Sequence, residues 1–284
     1  MKYLIVGNKG QLGKEFQKHL STQNIDFVGV DIDELDISNI QKVLDLFNSV
    51  KPNYVINCAA YNQVDNAEIK FYDCLKSNTF GVRNLAYACK KFNSFFIHYG
   101  TDYIFDGSKQ NDLYNEDDQP NPLNNYGKSK LYGELAIPEE IDNYLIFRVS
   151  WVFGEGNQNF IFKLMNWVKN SEYLKIAVDE VSVPTSTATI VKATMLSLKN
   201  EVRGLYHLPC SNNTSRFEWA KFILDNAKIN KFIYPVSKDS FNLPAKRPSF
   251  SAMSNKKISD ILNIEIPTWQ QETEKFLDKV LTLI

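Results

Sequence analysis

The amino-acid sequence predicts an α/β fold in which helices cover both faces of a doubly wound parallel sheet, with a smaller mixed α/β region after it. Two observations support this fold class. Short apolar runs alternate with helical patterns through the first 150 residues, and a glycine-rich turn joins the first run to the first helix. Strands that alternate with helices favour parallel sheets with right-handed crossovers.

The predicted elements of the first half follow in a regular order. Apolar runs typical of strands buried on both faces occur at 3–6, 27–30, 53–60, 95–99 and 145–147. Apolar residues have helical spacing at 10–20, at 39–50 behind Ser38 as the expected N-cap, and at 85–91. A polar loop rich in Asn, Asp and Pro covers 106–125, a composition found in functional lids and binding segments.

The second half is less regular. Short helices are expected at 159–169, 187–199 and 216–226, and a last helix from Gln270, with proline-marked loops between them. A chain of 284 residues has room for one or two domains of roughly 100–200 residues each. We therefore expect two domains, 1–150 and 151–284, with some segments interleaved.

Composition excludes several classes of protein. With 44% hydrophobic and 23% charged residues the chain is ordinary globular protein, and 32 Lys and Arg against 33 Asp and Glu give a net charge of -1. This balance supplies no basic field for nucleic acid or an anionic membrane, and no apolar run is long enough to span a bilayer. Dispersed cysteines and histidines predict reduced thiols, no metal site and a cytoplasmic location.

The glycine-rich turn has the sequence Gly7-Asn8-Lys9-Gly10-Gln11-Leu12-Gly13, a G-x-x-G-x-x-G motif between strand and helix. Glycines at this spacing allow a tight turn and close approach of the backbone to a pyrophosphate, whose charge the helix N-terminus stabilises. The motif therefore predicts a Rossmann-like, dinucleotide-binding domain over 1–150, which leaves 151–284 mainly for the substrate. The alternative is a turn that is merely tight.

Two residues disagree on which dinucleotide binds. Asp31, at the end of the second strand, can accept hydrogen bonds from an adenosine ribose and would repel a 2′-phosphate, which favours NADH. Lys9, inside the glycine turn, can meet that phosphate and favours NADPH. The expected cofactor is therefore NADPH or NADH. Asp36 and Ile37 are expected to flank the adenine, with a solvated surface aspartate as the alternative for Asp36.

A Tyr-x-x-x-Lys pair is the candidate for catalysis. Tyr126 and Lys130 lie four residues apart and so on one helix face, where the ammonium can lower the pKa of the phenol. Four such pairs occur in the chain, although chance alone supplies about one. Only Tyr126 follows a strand that ends in a hydroxyl residue, Thr101. That strand end places it at the carboxyl edge of the sheet, where ligands bind.

Taken together, these motifs resemble those of a known family. The glycine turn, the Asn57-Cys58-Ala59-Ala60-Tyr61 strand end, Thr101-Asp102-Tyr103 and the Tyr126/Lys130 pair resemble extended short-chain dehydrogenases/reductases. Four further segments resemble, in order, the dTDP-4-dehydrorhamnose reductase branch of that family, at 64–68, 148–153, 206–208 and 244–248. The resemblance covers essentially the whole chain.

The resemblance implies roles for the matched residues. The expected cofactor-binding residues are Gly7, Gly10, Gln11, Leu12, Gly13, Asp31, Asp36, Ile37, Ala59, Ala60, Tyr61, Tyr99, Tyr126 and Lys130. The expected catalytic residues are Tyr126, Lys130 and Thr101, and the expected substrate-binding residues are Thr101, Asp102, Trp151 and Arg247. Trp151 would pack on the sugar or else fill the core. Arg247 would hold a diphosphate or else be a surface arginine held between turns.

The resemblance also implies a reaction, the NAD(P)H-dependent reduction of the C4 keto group of a 6-deoxy sugar nucleotide. The expected substrate is dTDP-4-dehydro-L-rhamnose and the product dTDP-L-rhamnose. The chain departs from the family pattern D-Q-x-G-x-P-T at Ser182, where glycine is usual. This departure leaves open another 4-keto-6-deoxy sugar, of the talose or N-acetylated series.

Two other readings stay open at this stage. A 4,6-dehydratase would need an acidic residue after Asp102, where this chain has Tyr103. A non-catalytic regulatory subunit on the same fold is the other alternative, and the intact catalytic residues argue against it. Glu15 resembles a glutamate that some relatives use at a metal-linked dimer contact, but one carboxylate makes no metal site. The oligomeric state is left open, with a homodimer as one option.

Overall fold

A six-stranded parallel sheet lies at the centre of the molecule. The computed structural model describes residues 1–109 and 112–281. Its strands are β1 (Tyr3–Val6), β2 (Phe27–Val30), β3 (Tyr54–Asn57), β4 (Phe95–Thr101), β5 (Tyr144–Val149), β6 (Val152–Phe153), β7 (Leu174–Ala177), β8 (Val181–Ser182), β9 (Thr185–Ser186), β10 (Gly204–His207), β11 (Thr214–Ser215) and β12 (Ile233–Val236). The central sheet has the order β10-β5-β4-β3-β1-β2, and every neighbouring pair in it is parallel. The chain winds outward in both directions from β1 and β3, which creates the crevice where ligands bind in such sheets.

Helices cover both faces of this sheet. They are α1 (Gln11–Thr22), α2 (Ile40–Val50), α3 (Val64–Ile69), α4 (Phe71–Leu75), α5 (Val82–Phe92), α6 (Asn125–Glu140), α7 (Phe160–Asn170), α8 (Thr187–Lys199), α9 (Arg216–Asn226), α10 (Lys256–Leu262) and α11 (Trp269–Leu281). A π-helical turn, Lys76–Gly81, joins α4 to α5, and a 3₁₀ turn, Asp102–Ile104, follows β4. The α/β fold with a doubly wound parallel sheet that the sequence predicts is confirmed.

Apolar side chains alternate between the two faces of the sheet. On β1, Tyr3 and Ile5 belong to one buried cluster and Leu4 and Val6 to another, as the period of two requires. Residues of α1, α8 and α10 complete the first cluster, and residues of α2, α5 and α6 complete the second. Burial on both faces explains why the strand segments are continuous apolar runs.

A third apolar cluster belongs to the C-terminal half. Its centre is Trp219 on α9, which is fully buried and packs near Phe153 and Phe160. Three two-stranded sheets accompany this cluster and pair β7 with β12, β8 with β11, and β6 with β9. Because β10 and α8 from the same half join the central sheet and its cover, both halves build the first cluster. The division at residue 150 stays a prediction.

Several element ends differ from the expectations by a few residues, and at two of them the local hydrogen bonds show how the chain ends the element. Asn39, not Ser38, caps α2, because the Ser38 hydroxyl donates instead to Asp36 at 2.7 Å. The third strand ends at Asn57, whose side chain accepts a hydrogen bond from the Ala59 amide at 3.1 Å as the chain turns. Of the predicted loop at 106–125, Gln110 and Asn111 lie outside the described residues. Within the described ranges, each helix falls short of the length and apolarity needed to cross a membrane.

Candidate active site

The glycine turn brings backbone from β1, β3 and α1 into close contact. Gly7 has a φ of 80°, and a Cβ there would lie 2.5 Å from the Ala59 nitrogen. A Cβ on Gly13 would lie 2.3 Å from the Gly7 carbonyl oxygen, so both positions require glycine. Gly10 is the N-cap of α1 and offers no side chain to cap the first-turn N–H groups. This cradle fits the pyrophosphate of a dinucleotide.

Three expected cofactor residues have side chains engaged within the protein. The Gln11 amide donates to the Val152 carbonyl oxygen at 3.0 Å, and Leu12 packs on the first apolar cluster. The Tyr99 hydroxyl hydrogen-bonds Thr194 at 2.9 Å. Gln11 and Tyr99 therefore turn their polar side-chain groups to protein partners, Leu12 packs on apolar residues, and the contact of these three residues with a cofactor stays a prediction.

The end of β2 is rich in carboxylates. Asp31 accepts hydrogen bonds from the backbone N–H groups of Lys9 at 2.9 Å and Ile32 at 2.8 Å. The Lys9 ammonium pairs with Asp33 and lies 3.4 Å from Glu34, and these partners raise its pKa. Lys9 would have to leave these partners to meet a 2′-phosphate, so the conflict between Asp31 and Lys9 persists in the structure.

The residues expected at the adenine have different environments. Asp36 is exposed, and hydrogen bonds from Ser38 lower the pKa of its carboxyl. Ile37 is buried in the second apolar cluster, against Gly81. Only Asp36 therefore presents its side chain to the surface.

Sequence analysis missed one residue of the cofactor groove, Asn78 in the π-helical turn. Its buried side chain accepts from the Tyr61 N–H and donates to the Tyr61 carbonyl, both at 2.9 Å, and it donates to Ser129 at 3.0 Å. Asn78 thus connects the segment after β3 to α6. In that segment Ala59 is half-buried and Ala60 is exposed. Helical periodicity gives no sign of a π turn, although such turns recur at functional sites.

The structure brings the three expected catalytic residues together. Thr101 ends β4, and its side chain lies near enough to the phenol of Tyr126 on α6 to lower the pKa of that phenol. Lys130, one turn further along α6, is buried and donates to the Tyr99 carbonyl oxygen at 2.6 Å. A Cβ on Gly127 would lie 2.2 Å from a carbonyl oxygen of the turn after β4, so α6 packs directly on that turn.

Burial dominates the pKa values of the pair. Desolvation raises the pKa of Tyr126 well above its usual value, and the nearby Thr101 side chain opposes that rise. Desolvation lowers the pKa of Lys130 to about 8, and the Glu134 carboxylate opposes this fall. Burial therefore dominates both pKa values, and the expected lowering of the Tyr126 pKa by Lys130 stays a prediction.

Asp102 lies next to Thr101 and is 2% exposed. Its carboxylate accepts hydrogen bonds from Ser182 at 2.7 Å, from Ser251 at 2.6 Å and from Thr101 at 3.3 Å. Burial raises the pKa of Asp102 to about 6, and the serine hydroxyls and the charge of Arg216 oppose the rise. The departure from the family pattern at Ser182 therefore lies within reach of the catalytic residues.

Trp151 packs on aromatic and cationic groups. The Arg216 guanidinium carbon lies 3.4 Å from its ring centroid, and the Trp219 ring stacks on it at 5.9 Å. The backbone of Trp151 has a φ of 41°, rare for a bulky residue. Trp151 is half-buried, so it contributes to the third cluster as the alternative interpretation held, and its contact with a sugar stays a prediction. Arg216, which sequence analysis missed, carries no motif that would have singled it out.

Arg247 is held by an ion pair. Its guanidinium donates to both carboxylate oxygens of Asp65, at 3.0 and 2.7 Å, and to the Ala245 carbonyl at 2.8 Å. The Arg247 side chain is 14% exposed and that of Asp65 35%. This arrangement matches the alternative of an arginine held between turns, and any diphosphate would compete with Asp65.

A buried ion pair that the sequence did not reveal lies beneath the site. Glu134, one turn beyond Lys130 on α6, accepts hydrogen bonds from Arg148 at 3.1 and 3.0 Å. Arg148 also donates to His207 Nε2 at 3.1 Å. Burial and the charge of Arg148 lower the pKa of His207 to about 3, so this ring is neutral and serves as an acceptor.

A large cavity, ≈ 1190 Å³ in volume, lies apart from this site. It opens between α1, α7, α8 and α11, and among the described residues that line it are Phe153, Met165 and Lys192. None of the expected cofactor-binding, catalytic or substrate-binding residues belongs to that lining. This cavity is therefore separate from the candidate active site, which consists of the side chains at the carboxyl edge of the sheet.

Comparison with known proteins gives the family. Residues 1–282 match the family described as RmlD substrate binding domain. The dTDP-4-dehydrorhamnose reductase of Aggregatibacter actinomycetemcomitans is 33% identical over 283 residues, which cover 95% of this chain and 96% of that protein.

Solved structures agree over the whole fold. A dTDP-4-dehydrorhamnose reductase from Clostridium acetobutylicum is 34% identical, with a TM-score of 0.95 over 99% of this chain and 100% of that one. The dTDP-4-dehydrorhamnose reductase from Bacillus anthracis, solved in complex with NADP, is 31% identical, with a TM-score of 0.94 over 98% of this chain and 99% of that one. The chain therefore belongs to the dTDP-4-dehydrorhamnose reductase family.

Proposed function

We propose that this protein reduces the C4 keto group of dTDP-4-dehydro-L-rhamnose to give dTDP-L-rhamnose, with NADPH or NADH as the hydride donor. Family membership supports the reaction, and the NADP complex of the Bacillus anthracis relative supports the cofactor. One observation carries the proposal to this site. Tyr126 on α6 lies beside Thr101 at the carboxyl end of β4, and Lys130, one turn further along α6, is buried against the Tyr99 carbonyl oxygen of the same strand at 2.6 Å.

The cofactor would lie across the carboxyl edge of the sheet. The first-turn N–H groups of α1, at Gln11, Leu12 and Gly13, would bind the pyrophosphate. Asp31 would accept the ribose hydroxyls, and Asp36 with the backbone of Ile37 would border the adenine. The remaining groove would be lined by Ala59, Ala60, Tyr61 and Tyr99. When bound there, the nicotinamide supplies the hydride.

The chain itself supplies the proton. A ketone that accepts a hydride becomes an alcohol only when its oxygen is protonated, and Tyr126 would donate that proton. Burial raises the pKa of the Tyr126 phenol, so the phenol holds its proton in the protein. Lys130 would have to lower that pKa toward the working pH for efficient proton transfer. The Thr101 hydroxyl would hydrogen-bond the same oxygen as negative charge develops on it. Lys130 would hold the nicotinamide ribose and, as an ammonium, stabilise the tyrosinate that remains.

The C-terminal half would hold the sugar nucleotide. Trp151 would pack on the sugar and Asp102 would accept a sugar hydroxyl. Arg247 would bind the diphosphate in exchange for Asp65, because a guanidinium pairs with a phosphate as readily as with a carboxylate. We further propose a division of labour near residue 150. On this division, 1–150 mainly bind the cofactor and 151–284 mainly bind the substrate.

Location and assembly belong to the same proposal. The four cysteines are free thiols, as is typical of a cytoplasmic protein. The near-neutral net charge gives no support for a nucleic-acid partner. Whether the chain forms a homodimer would be measured by light scattering of the purified protein.

Product identification tests the proposed reaction. Purified protein would be incubated with NADPH and dTDP-4-dehydro-L-rhamnose, beside UDP- and GDP-linked analogues of the same keto sugar. We expect NADPH oxidation with the dTDP sugar and an NMR spectrum of dTDP-L-rhamnose. Formation of the 4-epimer dTDP-6-deoxy-L-talose, or preference for another nucleotide, would refute the named substrate and leave the reductase class. Absence of turnover with every keto sugar would refute the reductase class itself.

A further inference from the structure

The Asp102 carboxylate is enclosed by hydroxyl groups of this chain. Its Oδ2 atom accepts from Ser182 and Ser251, at 2.7 and 2.6 Å, and its Oδ1 atom accepts from Thr101 at 3.3 Å. Asp102 and Ser251 are each 2% exposed, and Ser182 is fully buried. Within the described residues these three hydroxyls are the side-chain donors to this carboxylate.

The two serines belong to one backbone unit. Ser182 lies on β8, which pairs with β11. The segment that carries Ser251 runs beside β8, because Val181 donates to the Ser249 carbonyl and Ser251 donates to the Val181 carbonyl, both at 2.9 Å. The C-terminal half therefore presents two hydroxyls, at fixed spacing, to a carboxylate at the end of β4.

Lone-pair arithmetic distinguishes the two oxygens of Asp102. Each carboxylate oxygen has about two acceptor sites. The serines occupy both sites of Oδ2, whereas Oδ1 accepts from Thr101, whose single hydroxyl hydrogen would turn to the C4 oxygen in the proposed reaction. With 2% of Asp102 exposed, Oδ1 is the oxygen with capacity for a further donor.

Sugar chemistry identifies that donor. In a 4-keto-6-deoxy sugar, C4 has two carbon neighbours. C3 carries a hydroxyl, and C5 carries the ring oxygen and the methyl group. Neighbouring oxygens on a sugar ring lie about one hydrogen-bond length apart, as Thr101 Oγ1 and Asp102 Oδ1 do. A ligand whose C4 oxygen meets Thr101 therefore brings its C3 hydroxyl to Asp102 Oδ1.

We infer that Ser182 and Ser251 are positioning residues that fill Asp102 Oδ2 and so direct Oδ1 toward the C3 hydroxyl of the substrate. The inference rests on the proposed reduction and names the substrate feature that this part of the site selects. Loss of either serine hydroxyl leaves an Oδ2 site unsatisfied and lets the carboxylate turn. The charged and titratable groups that face Asp102 are Arg216 on α9, Tyr126 on α6 and Tyr103 beside it.

The test compares two substrates in matched variants. Ser182→Ala and Ser251→Ala would be assayed with dTDP-4-dehydro-L-rhamnose and with the analogue that lacks the C3 hydroxyl. Ser197→Ala is the control, because its buried hydroxyl donates to Ala193 within α8, away from the site. We expect kcat/KM for the natural substrate to fall about 5- to 20-fold in either variant. With the 3-deoxy analogue, variants and wild type should agree within about twofold.

Each outcome decides between explanations. Equal losses with both substrates, or no loss with either, would overturn the inference and leave the serines a structural role alone. Ser182→Thr keeps the hydroxyl and should restore discrimination between the substrates. If Ser182→Ala does not fold, as judged by NADPH binding and its melting temperature, Ser251→Ala decides. Absence of turnover by the wild type with either sugar would count against the proposed function, whereas wild-type turnover without discrimination would count against this inference alone.

Discussion

Two buried carboxylates lie close to the Tyr126–Lys130 pair, and the protein holds them in different ways. Glu134 is bound by the full charge of Arg148, and both belong to the half of the chain that forms most of the central sheet. Asp102 is bound by neutral hydroxyls, two of which come from the C-terminal half. Glu134 acts on Lys130, and Asp102 acts on Tyr126.

This difference separates a fixed charge from a responsive one. A buried carboxylate with a guanidinium partner has its charge compensated, so the pair is part of the rigid floor of the site. A buried carboxylate with hydroxyl partners keeps a cost of ionisation, which is why the pKa of Asp102 rises to about 6. Asp102, the carboxylate that is expected to contact the substrate, is therefore the one whose ionisation can change.

The largest effect is expected from breaking the compensated pair. Arg148→Ala leaves Glu134 charged, buried and without its partner, which should lower the free energy of unfolding by about 3–5 kcal/mol. The matched control is Arg83→Ala, which removes the exposed partner of Glu140, another glutamate on α6, and should change the free energy of unfolding far less. Urea unfolding of both variants measures the difference. Equal costs would show that Glu134 is not a buried, compensated charge.

The second effect concerns the responsive carboxylate. The pKa of Asp102 is raised from 3.8 to about 6 in the folded protein, which corresponds to about 3 kcal/mol. Because the folded-state value is the higher one, this contribution is fully present below pH 4 and is lost as pH rises through about 6. Asp102→Asn cannot ionise. As pH rises from 4 to 8, the free energy of unfolding of this variant should therefore increase by about 3 kcal/mol relative to that of the wild type. Parallel pH–stability curves for the two proteins would contradict this reading of Asp102.

The third effect concerns Tyr126, the proposed proton donor. Tyr126→Phe should lower kcat by at least about 100-fold, because the hydroxyl alone is removed, while NADPH binding measured by fluorescence survives. Lys130→Ala should lower kcat and also weaken NADPH binding, since it is proposed to serve both. Tyr72→Phe is the control, at an exposed tyrosine that also has a lysine four residues later. Normal turnover in Tyr126→Phe would end the proposed mechanism.

A third carboxylate, Asp65, extends the comparison to a partly buried ion pair with Arg247. If Asp65 competes with the substrate diphosphate for Arg247, Asp65→Asn should lower KM about threefold. Arg247→Ala should raise KM about tenfold, or roughly 1.4 kcal/mol. Steady-state kinetics at fixed NADPH measures both. A rise in KM in Asp65→Asn would show that the pair holds the turns together and does not exchange with phosphate.

The smallest effect is expected at the half-buried carboxylate Asp31. Because Asp31 and Lys9 favour different cofactors, NADH and NADPH should be used within about tenfold in kcat/KM. Asp31→Ala should shift the preference toward NADPH by removing the repulsion of a 2′-phosphate. Lys9→Ala should shift it toward NADH. A wild-type preference of about a thousandfold would mean that one of these residues does not reach the ribose.

The parts of the site that the sequence predicts and those that it does not predict differ in how far apart the interacting residues lie in the chain. The Gly7 turn and the Tyr126/Lys130 spacing are local patterns, so a single stretch of sequence reveals them. The Arg247–Asp65 pair joins residues 182 positions apart, and the Ser182–Asp102 bond joins residues 80 apart. Such contacts depend on how the halves pack, which no local pattern records.

Even where the residue was singled out, the sequence did not determine its partner. Ser182 departs from the family pattern, so the sequence singles it out. A hydroxyl has many potential acceptors, and no sequence feature identifies Asp102 as its partner. Asn78 was not noticed, because its position depends on a π turn that helical periodicity does not predict. The fold class was predictable because burial on both sheet faces repeats in every strand of the first half.

The long stretch of chain between the paired strands β5 and β10 has a consequence for folding during synthesis. Strand β5 ends at Val149, and its neighbour β10 begins only at Gly204, 55 residues later in the chain. At a synthesis rate of about 5–20 residues per second, the nascent chain carries an unpaired β5 edge for about 3–11 s before its partner is made. An open apolar edge is a template for pairing with other chains. During synthesis of this protein, the β5 edge is therefore expected to be open to pairing with other chains until β10 is made.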